Sequence, residues 1–323
     1  MKVGVVGVGK VGQACALSLI TRGSAREVVL VDLNRARAKA VATDLRYGAP
    51  CCPEVAVRDG DYADLKGAAV VMLTAGVNEK TGGATNRNDP SGRLRLLDTN
   101  AGVFRDMVPK TVAAAPEAVL LVVTDPPDPL AWLTRELAGH DRVLSTGTLL
   151  DSLRLRVHLA ERLNVSATSV EALVIGEHGT SEVMLWSSAR VCGAPVAAAL
   201  PAGASFDDFR AAVERDVRFA NITIIEGNDA SQFGIGIVST RIAEAVLRDE
   251  QTVLPVGAYN TDYGVTITLP TVVGRTGPGR NFMPTMSDAE RQGFLRSVDV
   301  LRSANERLAG GAQAKPAAVS AAT

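Results

Sequence analysis

His178 stands between two glycines at the end of an apolar run, in Ile175-Gly176-Glu177-His178-Gly179, and is one of three histidines in 323 residues. A lone histidine in such a setting is usually structural. Here Leu150-Asp151-Ser152-Leu153-Arg154 lies shortly upstream and offers a carboxylate and a guanidinium three residues apart. Together these residues supply a proton donor that titrates near neutral pH, a group to hold its charge, and a planar two-point clamp for a carboxylate. That combination suits acid–base chemistry on a 2-oxo or 2-hydroxy acid. No metal site is expected, because His140, His158 and His178 lack ligand-like spacing.

These groups must be held by a fold, and the N-terminus says which kind. Residues 2–6 read as a buried strand, and Gly7-Val8-Gly9-Lys10-Val11-Gly12 follows as a G-x-G-x-x-G turn opening a helix to about Arg22. A second apolar strand, Glu27 to Val31, ends in Asp32. A lone glycine motif is weak, but strand, turn, helix and acid in this order define a dinucleotide site. Gly7 makes the tight turn, Gly9 admits the pyrophosphate, and Gly12 lets helix and strand pack closely. The helix N-terminus offers N–H groups and positive potential to the phosphates. Asp32 can accept hydrogen bonds from both ribose hydroxyls and would repel a 2′-phosphate, so NAD is favoured over NADP.

Short apolar runs at 69–74 and 119–124 alternate with helical stretches at 35–46 and 100–115, which implies parallel strands with helical crossovers. Beyond about residue 145 the texture changes to helical patterns at 151–163, 207–226 and 235–248, with β-type runs at 170–175 and 265–273. The expected organisation is a dinucleotide-binding domain over 1–145, a substrate domain over 146–308, and a disordered Ala-rich tail over 309–323. Hydrophobic residues at 46% suffice for a full core, and a net charge of −1 argues against nucleic acid or an acidic membrane as partner. No apolar run approaches membrane-spanning length. Four cysteines without a C-x-x-C pair read as free thiols in a reducing compartment, and the expected location is the cytoplasm.

The sequence resembles the lactate/malate dehydrogenase family, and its lactate branch more than the other. The resemblance runs to about residue 308. It rests on the glycine-rich turn, Asp32, Asp44-Leu45-Arg46-Tyr47-Gly48, Thr74-Ala75-Gly76-Val77-Asn78, Arg93 with Asn100, and Val122-Val123-Thr124-Asp125-Pro126-Pro127-Asp128. It continues through Gly147-Thr148-Leu149-Leu150-Asp151-Ser152, Gly176-Glu177-His178-Gly179, Ile225-Glu226-Gly227 and Gly234-Ile235-Gly236. It implies a Rossmann domain with a parallel sheet, a mixed α/β substrate domain, and reversible hydride transfer between NAD and a small 2-hydroxy acid. It also implies a homodimer or homotetramer. By this resemblance His178 donates and accepts the proton, Asp151 orients the imidazole, Arg154 grips the substrate carboxylate, and Arg93 polarises the reacting carbonyl from a mobile loop. Ser231 takes the place of a threonine lining the substrate pocket. Gly7, Gly9, Val11, Gly12, Asp32, Arg37, Tyr62, Gly76, Thr124 and Thr146 fall at positions that line the cofactor.

Three departures stand out against the family pattern. Asp125 replaces an Asn whose amide donates near the reacting oxygen, and an ionised Asp can only accept. Either it carries a proton, or it turns away, or the chemistry is altered. The active-site loop between Lys80 and Arg93 is several residues longer than usual and resembles that of broad-specificity 2-hydroxyisocaproate dehydrogenases. Glu79 stands where the family places Gln for lactate or Arg for malate. A carboxylate there repels a dicarboxylate substrate, provided the side chain faces the pocket. Arg156 matches an arginine of the fructose 1,6-bisphosphate site of many bacterial relatives, but Glu171 replaces its histidine, so no such activation is expected. The leading expectation is an NAD-dependent L-2-hydroxy-acid dehydrogenase acting on a monocarboxylate. The alternatives are an NAD(H)-binding relative with weak or lost turnover, acting as a sensor, and a malate dehydrogenase.

Overall fold

The computed structural model of the protein describes residues 1–86 and 92–310, apart from the side chains of Gly92 and Arg93. Its first half alternates strand and helix as the apolar runs predict. β1 (Lys2–Val6), α1 (Lys10–Thr21), β2 (Glu27–Val31), α2 (Arg35–Gly48), β3 (Ala56–Asp59) and β4 (Ala68–Leu73) come first. α3 (Leu97–Ala114), β5 (Val119–Val122), α4 (Pro127–Ala138) and β6 (Val143–Ser145) complete it. β1, β2, β4 and β5 are apolar and buried along nearly their whole length, because helices cover both faces of a parallel sheet. The six strands lie in the order β3-β2-β1-β4-β5-β6, all parallel. This is the doubly wound dinucleotide-binding arrangement, with ligands expected at the carboxyl ends of the strands where the order reverses.

The second half contains α5 (Leu149–Leu163), two-residue strands β7 (Val170–Glu171), β8 (Val174–Ile175), β9 (Val183–Met184), β10 (Arg190–Val191) and β11 (Ala194–Pro195), and helices α6 (Phe206–Arg218), α7 (Ala220–Asn228) and α8 (Phe233–Leu247). β12 (Thr252–Asn260), β13 (Val265–Gly274), β14 (Gly277–Asn281) and α9 (Asp288–Gly310) follow. β12, β13 and β14 extend the parallel sheet antiparallel, joining it where Gly257 pairs with Ser145. The two halves therefore share one nine-stranded sheet. α8 also packs along α1.

Several expected elements differ in detail. The stretch expected as one helix over 207–226 breaks at Phe219, whose backbone leaves helical geometry (φ −102, ψ 6), giving α6 and α7. The run at 170–175 divides into β7 and β8, which pair in different small sheets. The strands β3, β6, β12 and β14 and the helices α4 and α9 lie outside the runs singled out in the sequence. α9 runs to Gly310, two residues into the segment read as a tail. The rest of that segment, 311–323, lies outside the described residues. All four cysteines are free. No helix among the described residues is long and apolar enough to cross a membrane.

Candidate active site

The loop that carries His178 is pinned from three sides. Gly176 takes a left-handed backbone (φ +91) and exchanges backbone hydrogen bonds with Thr268 of β13. A Cβ there would lie 2.6 Å from Ser297 Oγ, so only glycine fits. The next N–H, of Glu177, donates to Ser297 Oγ of α9 at 2.5 Å, and that of His178 donates to Asp128 Oδ2 of α4 at 2.8 Å. The imidazole is thereby placed against α5, where Nδ1 meets Asp151 Oδ2 at 2.5 Å.

Asp151 lies in the first turn of α5 with its side chain 3% exposed. Its other oxygen accepts from Arg154 Nη1 at 2.8 Å, one helical turn on, and Arg154 Nη2 reaches Ser231 Oγ at 3.5 Å. The carboxylate thus holds both the ring and the guanidinium, the second through an i,i+3 contact not anticipated from the sequence. Glu182 also converges here, and Asp151, His178 and Glu182 bring donor atoms within 4.8 Å of one another. No histidine spacing reveals that trio, since two of its members are carboxylates from separate segments.

Two of the departures from the family pattern face the same cleft. Asp125 does not turn away: its Oδ1 lies 3.7 Å from His178 Nε2, on the side of the ring opposite Asp151. Its carbonyl accepts from Asn100 Nδ2 at 2.7 Å. The Asn100 amide also receives the N–H of Val77, so it couples the strand-end segments after β4 and β5. Glu79 lines the cleft as well, with His178, Arg154 and Ser231. The space within the cleft, counting the part continuous with solvent, is about 670 Å³. Asn221, Leu150 and Ile235 also line it, and the sequence reading missed them.

Val11, Gly76, Thr124 and Thr146 also line this cleft, and Val11 belongs to the dinucleotide turn itself. Gly7 has φ +98, and a Cβ there would lie 2.4 Å from Ala75 N. A Cβ on Gly12 would lie 2.0 Å from Gly7 O, so strand and helix touch through these two positions. A Cβ on Gly9 would meet nothing, which leaves that face of the turn open to a phosphate. Asp32 accepts from the N–H groups of Val8 at 2.6 Å and Asn34 at 2.8 Å, with Arg37 at 3.9 Å. Tyr62 sits close enough for the Asp32 and Asp106 charges to add to burial in raising its phenol. An open turn at a helix N-terminus, ended by a positioned carboxylate, fits a dinucleotide diphosphate and its ribose.

The active-site loop is only partly described. Asn78 Oδ1 accepts from Thr81 N–H at its start, and Lys80 forms an ion pair with Asp229, which also faces Lys10 of the glycine-rich turn at 3.8 Å. The backbone of Arg93 lies in the 3-10 turn Gly92–Leu96, while its side chain lies outside the described residues. Arg156 is half-buried. Its Nε donates to Ala172 O and Glu171 is its charged neighbour, an arrangement that disfavours a phosphate.

Comparison with known proteins finds matches to both halves of the chain. Residues 1–144 match the NAD-binding domain of lactate/malate dehydrogenases, and residues 148–309 match their alpha/beta C-terminal domain. The L-lactate dehydrogenase of Deinococcus radiodurans is 44% identical over 310 residues, covering 95% of this chain and 99% of its own. That of Thermus aquaticus is 43% identical over 316 residues, covering 95% and 99%. The crystal structure of a minor L-lactate dehydrogenase from Enterococcus mundtii superposes with a TM-score of 0.86 at 34% identity, covering 95% of this chain and 98% of that one. The chain belongs to the lactate/malate dehydrogenase family. Its class is therefore that of NAD-dependent 2-hydroxy-acid oxidoreductases.

Proposed function

We propose that this protein interconverts a monocarboxylic 2-oxo acid and the L-2-hydroxy acid, as an L-lactate-type dehydrogenase whose lengthened loop admits side chains larger than methyl. The observation that carries this reading is the His178–Asp151–Arg154 chain, 2.5 and 2.8 Å in its two links, set in a cleft that opens onto the dinucleotide turn. When bound, the reduced cofactor would supply the hydride to the carbonyl carbon, and the oxidised cofactor would take it up from the hydroxyl-bearing carbon. In reduction, His178 as the imidazolium gives its Nε2 proton to the carbonyl oxygen and becomes neutral, and in oxidation it takes the proton back. Asp151 stabilises the cation and fixes the ring. Arg154 holds the substrate carboxylate against Ser231, and Arg93 polarises the carbonyl.

Glu79 in the cleft opposes a second substrate carboxylate, which speaks against a malate dehydrogenase. Presence of the acid–base pair and the clamp together speaks against a pure cofactor sensor. Following NADH absorbance over 2-oxo acids of graded side-chain size, with oxaloacetate included, tests all three readings. Monocarboxylates should give the highest kcat/KM. Preference for oxaloacetate would overturn the assignment, and turnover with none of the acids would favour the sensor.

The proposed assembly is a homo-oligomer. Leu153 and Val157 on α5, Phe233 and Ile237 on α8, and Leu17 on α1 are 38–62% exposed. The first two pairs are spaced i,i+4, so each occupies one face of its helix, and α8 packs against both α1 and α5. Apolar side chains on three packed helices fit an isologous contact with a second copy. Light scattering should give a dimer or tetramer, and Phe233→Glu with Ile237→Glu should shift it to a smaller species. A monomeric wild type would refute the interface.

A further inference from the structure

Asp128 is a fully buried carboxylate for which neither hydride nor proton transfer has a use. Among the described residues its hydrogen-bond partners are Ser145 Oγ, at 2.5 Å on Oδ1, and the His178 N–H, at 2.8 Å on Oδ2. No cation appears among these partners. Burial without one is costly for a carboxylate, and it pushes this carboxyl up to about 6 even though both hydrogen bonds pull it down. A place in the first turn of α4 offsets part of that cost, since helix N-termini favour negative charge. The space around the group is filled. A Cβ on Gly257 of β12 would lie 2.0 Å from Ser145 Oγ and 2.4 Å from Asp128 Oδ1.

What meets at this carboxylate is the set of segments that build the proton-transfer site. Asp125, which faces Nε2, lies three residues upstream on the same turn into α4. Ser145 ends β6 and its Oγ accepts the N–H of Gly147 at 3.2 Å. Gly147 has φ +52 and belongs to the turn that launches α5, the helix carrying Asp151 and Arg154. The His178 main chain arrives from the third side. Catalysis is sensitive to displacements of about 1 Å, which can cost on the order of 100-fold. A rigid buried hub linking three segments is thus placed to control the distances from the imidazole to Asp151 and to the substrate oxygen.

We propose that Asp128, acting with Ser145, is a positioning residue for proton transfer: it ties the His178 main chain to the two segments that carry Asp151 and Asp125. This rests on the reading of His178 as the proton donor.

Four variants test it. Asp128→Ala leaves the His178 N–H without its acceptor and should lower kcat by about tenfold or more, on the scale of a lost positioning contact. The Kd for NADH should stay within about twofold, because the dinucleotide turn is untouched. Asp128→Asn keeps an oxygen for the His178 N–H and an amide for Ser145 Oγ, and should recover most of kcat. In a His178→Asn background, Asp128→Ala should cause no further loss of the residual rate. A folded Asp128→Ala with wild-type kcat, NADH affinity falling in step with kcat, or an additive loss in the double variant would each overturn the proposal. If Asp128→Ala does not fold, Ser145→Ala decides. It cuts the tie to the Gly147 turn and should lower kcat by about threefold or more at unchanged NADH affinity, and an unchanged kcat overturns the idea. Full turnover in His178→Asn alone would instead refute the assignment of the proton donor, so the two failures are distinguishable.

Discussion

Replacing His178 by Asn is expected to lower kcat for 2-oxo-acid reduction by about 10²–10⁴-fold, the usual contribution of a positioned acid–base group. Binding of NADH should be unaffected. His178 is held by Asp128 and Asp151 and its neighbour Glu177 by Ser297, whereas the glycine-rich turn is built from Gly7, Gly12 and Asp32, which take no part in these contacts. Asparagine keeps the main-chain N–H that Asp128 accepts and removes only the ring, so the loop should hold its place. Stopped-flow NADH oxidation separates the hydride step from product release, and fluorescence of bound NADH reports affinity. A variant that keeps more than about a tenth of wild-type kcat would be incompatible with general acid catalysis by this residue.

The second large effect is a gain. Asp125→Asn should raise kcat by at least about tenfold, part of the 10²–10³ that one well-placed donor to a developing oxyanion contributes elsewhere. The reason lies in the geometry at Nε2. Asp125 Oδ1 is 3.7 Å from that nitrogen, so the reacting oxygen, which must sit against Nε2, develops its charge beside a carboxylate. The imidazole is also flanked by carboxylates on both nitrogens, at 2.5 Å on the Asp151 side. Both favour the cation and make it a weaker acid. An amide at position 125 removes one of these charges and supplies a donor. Reduction requires the imidazolium and fails once it loses its proton. Taking away a neighbouring negative charge destabilises the cation, so the pH above which reduction falls away should move downward in the variant. Rates in both directions across pH 5–9, with a 2-oxo acid and with its 2-hydroxy acid, measure this. If kcat is unchanged or lower, the carboxylate serves the native substrate, and substrates bearing a hydrogen-bond donor or a positive charge become the ones to examine.

Because its strongest signals are local, much of the dinucleotide half is legible along the chain, although β3, α4 and β6 are not. Apolar runs of strand length, glycines at fixed offsets and an acid at the end of β2 each act over a few residues, and the parallel order follows from their alternation with helices. The sequence also set Asp151 and Arg154 three residues apart on one helix, where two side chains share a face, but their contact with each other appears only in the structure. What it left open depends on contacts between distant segments. Whether Asp125 faces the imidazole, whether Glu79 enters the cleft, and that Asp128 and Ser297 hold the His178 loop across 50 and 120 residues of chain are all outcomes of packing. The break at Phe219 and the splitting of 170–175 into two sheets are of the same kind: apolar periodicity says that a segment is buried, but only the neighbours it meets decide where it bends. A carboxylate such as Asp128 is the extreme case. Along the chain it is one acid in the first turn of a helix, and its part in the site exists only where α4, β6, β12 and the His178 loop converge.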